Sequence, residues 1–132
     1  MIQRPSNSIF FLSALALMFA CNRKSTSADA PSVWNKVKID FSRIDENGLA
    51  GPPDGKVAVN YEFCIPAEEK LLSEVKKIDS SIQPYKGSKG RVGCQSNQWL
   101  LIGSTHQKNH RRVIYELAKL PYVQQIHETY FE

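Results

Sequence analysis

Apolar and polar residues alternate along the central part of the chain, and this spacing predicts β-strands. Apolar side chains occupy every second position of residues 57–63, with Asn60 and Glu62 between them, which indicates a strand with one buried face. A shorter alternation predicts a first strand over about residues 36–44. Residues 98–102 are apolar on both faces, which is typical of a strand in the middle of a sheet.

Two further segments have apolar residues at helical spacing, and each predicts a helix with one buried side. The stripes consist of Leu71, Leu72, Val75 and Ile78, and of Val113, Ile114, Leu117 and Leu120. Pro66 is expected in the first turn of the first helix, where a missing N–H costs nothing. Pro121 ends the second helix.

Two more strands complete the domain predicted for residues 34–132. One covers about residues 82–86, where Pro84 restricts it to a sheet edge, and the other covers residues 123–131. The element order is one strand followed by β-α-β-β-α-β, which resembles the ferredoxin-like fold. We therefore expect an α+β sandwich, with two helices on one face of an antiparallel sheet and an extra N-terminal strand.

The first 20 residues differ in composition from the rest of the chain. Residues 9–20 are apolar except for Ser13, and Arg4 precedes them. A membrane-spanning helix needs about 20 apolar residues, so this run is too short for one. Its length and position are typical of a signal peptide, which we assign to residues 1–20.

The apolar run ends in Met18-Phe19-Ala20-Cys21, which resembles the cleavage motif of bacterial lipoproteins. The resemblance implies cleavage before Cys21, acylation of that cysteine with palmitate-type chains, and anchoring to a membrane of the cell envelope. The domain would face the periplasm or the exterior, after a flexible tether in residues 21–33. The alternative is an ordinary secreted protein whose discarded signal contains Cys21.

The number of cysteines agrees with export. The chain has three, and acylation of Cys21 leaves Cys64 and Cys94 as a pair. Outside the cytoplasm such a pair in a small domain indicates a disulfide. Two buried free thiols are the alternative.

The charge balance argues against a nucleic-acid partner. The net charge is +4, but from Trp34 onward 14 basic residues face 12 acidic ones. This near balance is unlike the basic surface of nucleic-acid-binding domains. The sequence predicts no cofactor, and no carboxylate or cysteine near the histidines completes a metal site.

Two basic groups are candidate anion-binding sites, and we expect them at opposite ends of the sheet. One is at the start of the second helix, where the alternatives are a metal shared by two histidines and a merely solvated helix end. The other is in a glycine-rich loop, where the alternative is a flexible surface hairpin. The groups are His106, His110, Arg111 and Arg112, and Lys86, Lys89 and Arg91.

No catalytic constellation is apparent, so we expect a non-enzymatic binding or interaction module. The sheet face that carries Asn60 and Glu62 is one candidate surface for a protein or an anionic envelope partner. A protease-inhibitor module is the second hypothesis, because residues 117–127 resemble the last helix and strand of subtilisin-propeptide inhibitors. A small envelope enzyme is the third.

Overall fold

The computed structural model describes Gln3 and residues 33–130, so the predicted signal peptide, Cys21 and most of the tether lie outside the described residues. The strands are β1 (Val37–Lys38), β2 (Leu49–Ala50), β3 (Val57–Ala58), β4 (Asn60–Pro66), β5 (Gln83–Tyr85), β6 (Gln98–Ser104) and β7 (Ile126–Thr129), and the helices are α1 (Glu69–Ile78) and α2 (His110–Lys119). Five strands form one sheet in the order β1-β7-β4-β6-β5, and β2 pairs with β3 in a second sheet. The α+β class is confirmed. Within the described part of the chain, no helix is long and apolar enough to cross a bilayer.

Two strand positions in the main sheet agree with the sequence. Pro84 lies in β5, which pairs only with β6 and forms an edge of the sheet. A proline there removes no hydrogen bond from the interior of the sheet. Trp99 lies in β6, between β4 and β5, so the strand with two apolar faces is an interior one, as predicted.

The hydrophobic core lies between one face of the sheet and the two helices. Tyr61, Phe63 and Ile65 of β4 are fully buried and pack in one cluster with Val75 of α1 and Leu117 of α2. All eight apolar stripe residues predicted for the helices are members of this cluster or pack against it. The helical spacing in the sequence therefore marks the buried sides correctly.

The predicted first strand is wrong over most of its length. Only Val37–Lys38 is a strand, and it pairs in parallel with β7, so the sheet is mixed rather than antiparallel. The chain then turns into a 3-10 helix at Phe41–Arg43. The Asp40 carboxylate accepts a hydrogen bond from the Ser42 N–H at 3.0 Å, and this local bond competes with strand pairing.

The strand predicted over residues 57–63 is divided at Val59. The Val59 N–H donates to the Thr105 hydroxyl at 3.0 Å, and its carbonyl accepts from the Thr105 N–H at 2.9 Å. Thr105 is fully buried, so these bonds fix the point at which the chain leaves the small sheet and enters the main one. Val57, predicted on the buried face, is 64% exposed.

Pro66 is the last residue of β4 and not the first turn of α1. It pairs with Gln98 at the end of the ladder between β4 and β6. The Ala67 N–H then donates to the Asn97 carbonyl at 3.0 Å, and α1 begins at Glu69. A proline fits the end of a strand as well as the start of a helix, so its presence alone did not distinguish the two.

Candidate functional site

The candidate site lies on the sheet face opposite the helices. Side chains of a strand alternate between faces, so Glu62 and Cys64 lie opposite the buried Phe63 and Ile65. Residues opposite each other in an antiparallel pair share a face, which places Leu100 beside Cys64. The helices cover only the other face of the sheet, so this face is open to solvent wherever no loop covers it.

The loop between β5 and β6, residues 86–97, folds onto that face. A disulfide joins Cys94 of the loop to Cys64 of β4, with the two Cα atoms 5.5 Å apart, which confirms the predicted pair. The Val92 N–H donates to a carboxylate oxygen of Glu62 at 2.8 Å. One covalent bond and one hydrogen bond to a charged group therefore hold the loop to β4.

Gly90 brings the loop backbone close to the sheet. It has a φ of +60°, in the left-handed region that favours glycine. A Cβ atom at this position would lie 2.6 Å from a methyl carbon of Leu100. Gly90 thus serves close packing, where the sequence alone suggested ligand approach or flexibility. A Cβ atom at Gly87 or Gly93 would meet no other atom within 4 Å.

Glu62 is a buried carboxylate, only 3% exposed. Besides accepting from Val92, it accepts a hydrogen bond from the hydroxyl of Thr129 on β7. It therefore connects β4, β7 and the loop at one point. Each carboxylate oxygen thus has a donor within the protein, which fixes the orientation of the Glu62 side chain.

Beside the loop lies a cleft of about 310 Å³, which we call the sheet-face cleft. Tyr85 and Tyr130 line it and are 47% and 57% exposed, which is unusual for large aromatic side chains. The guanidinium of Arg91 is 5.8 Å from the centroid of the Tyr130 ring. The volume is at the lower end of the range of small-ligand pockets. The complete lining is Glu62, Tyr85, Ser88, Gly90, Arg91, Leu100, Ile102, Thr129 and Tyr130.

The structure does not bring the four residues of the predicted helix-start group together. His110 is buried and stacks on Phe41, with ring centroids 6.3 Å apart, and its Nδ1 has no hydrogen-bond partner. His106 is exposed and precedes α2, so the two histidines do not share a helical face. Among the described residues, no three histidine, cysteine or acidic side chains form a group that could hold a metal. Anion binding by His106, Arg111 and Arg112 stays a prediction.

The loop group is also divided. The Lys86 ammonium forms an ion pair with Glu69 of α1 at 2.5 Å and lies 3.9 Å from the centroid of Trp99. Arg91 lies by Tyr130 on the opposite face of the sheet. Lys89 lies between Lys86 and Arg91 in sequence and is exposed. The three cations therefore do not converge on one point, and anion binding at the loop stays a prediction. The loop begins beside the start of β6, whereas α2 follows the end of β6. The loop group and the helix-start group therefore lie at opposite ends of the sheet, as expected.

Sequence reasoning missed Tyr85 and Tyr130 as site residues. Tyr85 ends an edge strand and Tyr130 follows β7, and neither belongs to a motif. The alternation of side chains along β5 was the available signal for Tyr85. Pro84 pairs with the buried Leu101 on the helical face, so Tyr85 lies on the opposite face. The position of the loop beside them depends on the disulfide and on Gly90.

Comparison of the chain with protein-family models, with curated proteins and with solved structures found no significant match. Its function is therefore inferred from its own residues.

Proposed function

We propose that this protein is an exported bacterial lipoprotein, anchored through acylated Cys21, whose domain is a non-enzymatic binding module. The short apolar run behind Arg4 and the motif that ends at Cys21 support export and acylation. The disulfide between Cys64 and Cys94 supports an oxidising compartment. The site of action would be the cell envelope, with the domain outside the cytoplasm.

The domain is proposed to be ferredoxin-like with an added strand. The order β7-β4-β6-β5 places the first and third strands of the β-α-β-β-α-β unit in the middle and the second and fourth outside. Each helix connects one interior strand to an edge strand of that unit. In this arrangement β1 extends the sheet beyond β7, where it pairs in parallel.

The sheet-face cleft carries the proposal of a binding module. Two exposed tyrosines beside the half-buried Ile102 form a surface that suits a side chain of a protein partner. The bonds from the loop to Glu62 and Cys64 hold this surface in place before a partner arrives. Because both thiols of the domain are joined to each other, neither is a nucleophile in this state.

The test is capture of the envelope partner by the protein with and without its tyrosines. We expect Tyr85→Ala combined with Tyr130→Ala to lower recovery of the cross-linked partner at least tenfold, since truncating two aromatic anchors costs about 1.4 kcal/mol or more. The matched control is Lys76→Ala combined with Lys77→Ala, which truncates two exposed side chains of α1 on the opposite side of the domain. Recovery is measured by quantitative mass spectrometry of membranes cross-linked in intact cells.

The comparison between variants decides the result. A partner lost with the tyrosine variant and retained with the lysine variant supports the cleft as the binding surface. Equal recovery with all three proteins, or no specific partner with any of them, contradicts it.

A further inference from the structure

A second surface combines aromatic and basic side chains on the helical side of the molecule. The Trp34 ring packs on Tyr115 of α2, with centroids 5.3 Å apart, and on Phe41 at 5.7 Å. The Arg111 guanidinium lies 5.3 Å from the Trp34 ring centroid, and the Lys119 ammonium lies 5.7 Å from that of Tyr115. We call Trp34, Arg111, Arg112, Tyr115 and Lys119 the Trp34 patch.

The patch carries excess positive charge. Residues 111, 115 and 119 are four apart, so they form one stripe along α2, and Arg112 lies beside it. Arg111, Arg112 and Lys119 are exposed, and the single acidic residue of the helix is Glu116, 3.6 Å from Lys119. Three cations thus face one carboxylate over ten residues.

The patch also lies where the chain leaves the domain toward its N-terminus. Trp34 is the first residue of the domain predicted for residues 34–132, and it follows Cys21 by 13 positions. A random-coil chain of 13 residues spans about 20 Å on average and about 45 Å when fully extended. A lipid attached at Cys21 would therefore keep this side of the domain within reach of the bilayer surface.

We propose that the Trp34 patch rests on an anionic lipid surface, with Arg111, Arg112 and Lys119 at the phosphate groups and Trp34 at the headgroup level. Tryptophan and tyrosine favour the interface between membrane and water, and basic side chains are attracted to anionic headgroups. This proposal builds on the proposed anchor at Cys21. Because the lipid anchor already holds the domain near the bilayer, binding of the patch to the surface is an intramolecular step. A low intrinsic affinity of the patch for lipid is therefore sufficient.

The orientation that results has a consequence for the rest of the domain. α2 packs on one face of the sheet, and the sheet-face cleft lies on the other. With the Trp34 patch on the lipid, Tyr85 and Tyr130 point away from the membrane. The lipid contact therefore presents the cleft to a partner outside the membrane.

The test measures Trp34 fluorescence in the processed protein on vesicles with brominated acyl chains. The chain has two tryptophans, so the background is Trp99→Phe, which leaves Trp34 as the only one. Vesicles contain either phosphatidylcholine alone or 30% phosphatidylglycerol, where the percentage is a choice of composition on the order of natural anionic membranes. We expect quenching only on the anionic vesicles and its loss in about 0.5 M salt, since salt screens exposed charges.

Three double substitutions separate the effect of the patch from the effect of total charge. Arg111→Gln with Arg112→Gln should weaken the lipid contact about fivefold per charge and so abolish most of the quenching. Lys56→Gln with Lys89→Gln removes two exposed charges outside the helical layer, one directly before β3 and one in the loop on the opposite face of the sheet, and should leave quenching unchanged. Arg111→Lys with Arg112→Lys keeps the charge and should retain quenching. Circular dichroism of the glutamine and lysine variants should match that of the wild type, which excludes misfolding as the cause of a loss.

Four results would overturn the proposal. Two of them are equal quenching on both kinds of vesicle and no quenching on either. The third is an equal loss of quenching when two arginines of the patch or two lysines outside it are replaced by glutamine. The fourth is release by inorganic phosphate beyond the effect of its ionic strength. The vesicle measurement is also made with protein coupled to a phospholipid through a maleimide on the Cys21 thiol, since Cys64 and Cys94 are joined to each other, so the tether is present whether or not intact mass shows natural acyl chains on Cys21. Failure of the anchor and failure of the patch are therefore separate outcomes.

Discussion

Replacing Cys64 and Cys94 together by alanine should lower the free energy of unfolding by about 3–4 kcal/mol. The disulfide closes a loop between residues 30 positions apart, and without it the unfolded chain gains the entropy of that loop. Cys94 is buried against the sheet, so the variant also loses a packed contact. This is the largest effect that we expect from changing two side chains in the domain.

The measurement is urea unfolding of wild type and variant, with and without reductant. Reductant should destabilise the wild type to about the level of the variant and leave the variant unchanged. In the variant, amide exchange at Val92 should increase, because the loop loses its covalent attachment next to the bond to Glu62. A loss below about 1 kcal/mol would contradict a structural role for the disulfide.

Replacing Glu62 by leucine should cost about 2–3 kcal/mol, since it leaves the Val92 N–H and the buried Thr129 hydroxyl without their acceptor. Leucine fills a similar volume, so the loss reports missing hydrogen bonds rather than a cavity. Glu62→Gln keeps one acceptor oxygen and should cost about half as much. Removing a buried charge offsets part of the loss, which sets the estimate below that for the disulfide.

The matched control is Glu68→Gln, at a position before α1 where the side chain makes no capping hydrogen bond. It should change the free energy of unfolding by less than about 0.5 kcal/mol. In Glu62→Leu, amide exchange should rise at Val92 more than at Cys94, whose N–H bonds to the Lys89 carbonyl within the loop. Uniform exchange changes across the loop would count against Glu62 as its local attachment.

Periodicity predicted the parts of the fold that depend on burial. The stripes around Val75 and Leu117 became the buried sides of α1 and α2, because a helix in a small domain must bury one apolar side. Pro84 and Trp99 were assigned to an edge and an interior strand for equally local reasons. In each case a few neighbouring residues carry the information.

The errors arose where distant residues decide the structure. Val59 breaks a regular alternation because it bonds to Thr105, 46 positions later in the chain. Val37 pairs in parallel with Ile126, from the other end of the domain, and no local pattern specifies that partner. Strand pairing between distant segments depends on the whole sheet, and a window of ten residues does not contain it.

The candidate site was partly predictable for the same reason. The pairing of Cys64 with Cys94 followed from counting cysteines, and Glu62 was placed on the sheet face away from the helices. The role of the loop was not apparent, because it needs Gly90 to approach Leu100 and Val92 to reach Glu62. The two exposed tyrosines became site residues only through the position of that loop.

The proposal that this protein is a lipoprotein is tested most directly by the intact mass of the protein extracted from its membrane. We expect a chain that begins at Cys21 and carries the added mass of acyl chains on that residue. A Cys21→Ala variant should lose the added mass and leave the membrane fraction. A chain that starts at any other residue, or one that starts at Cys21 without acyl chains, would contradict the account.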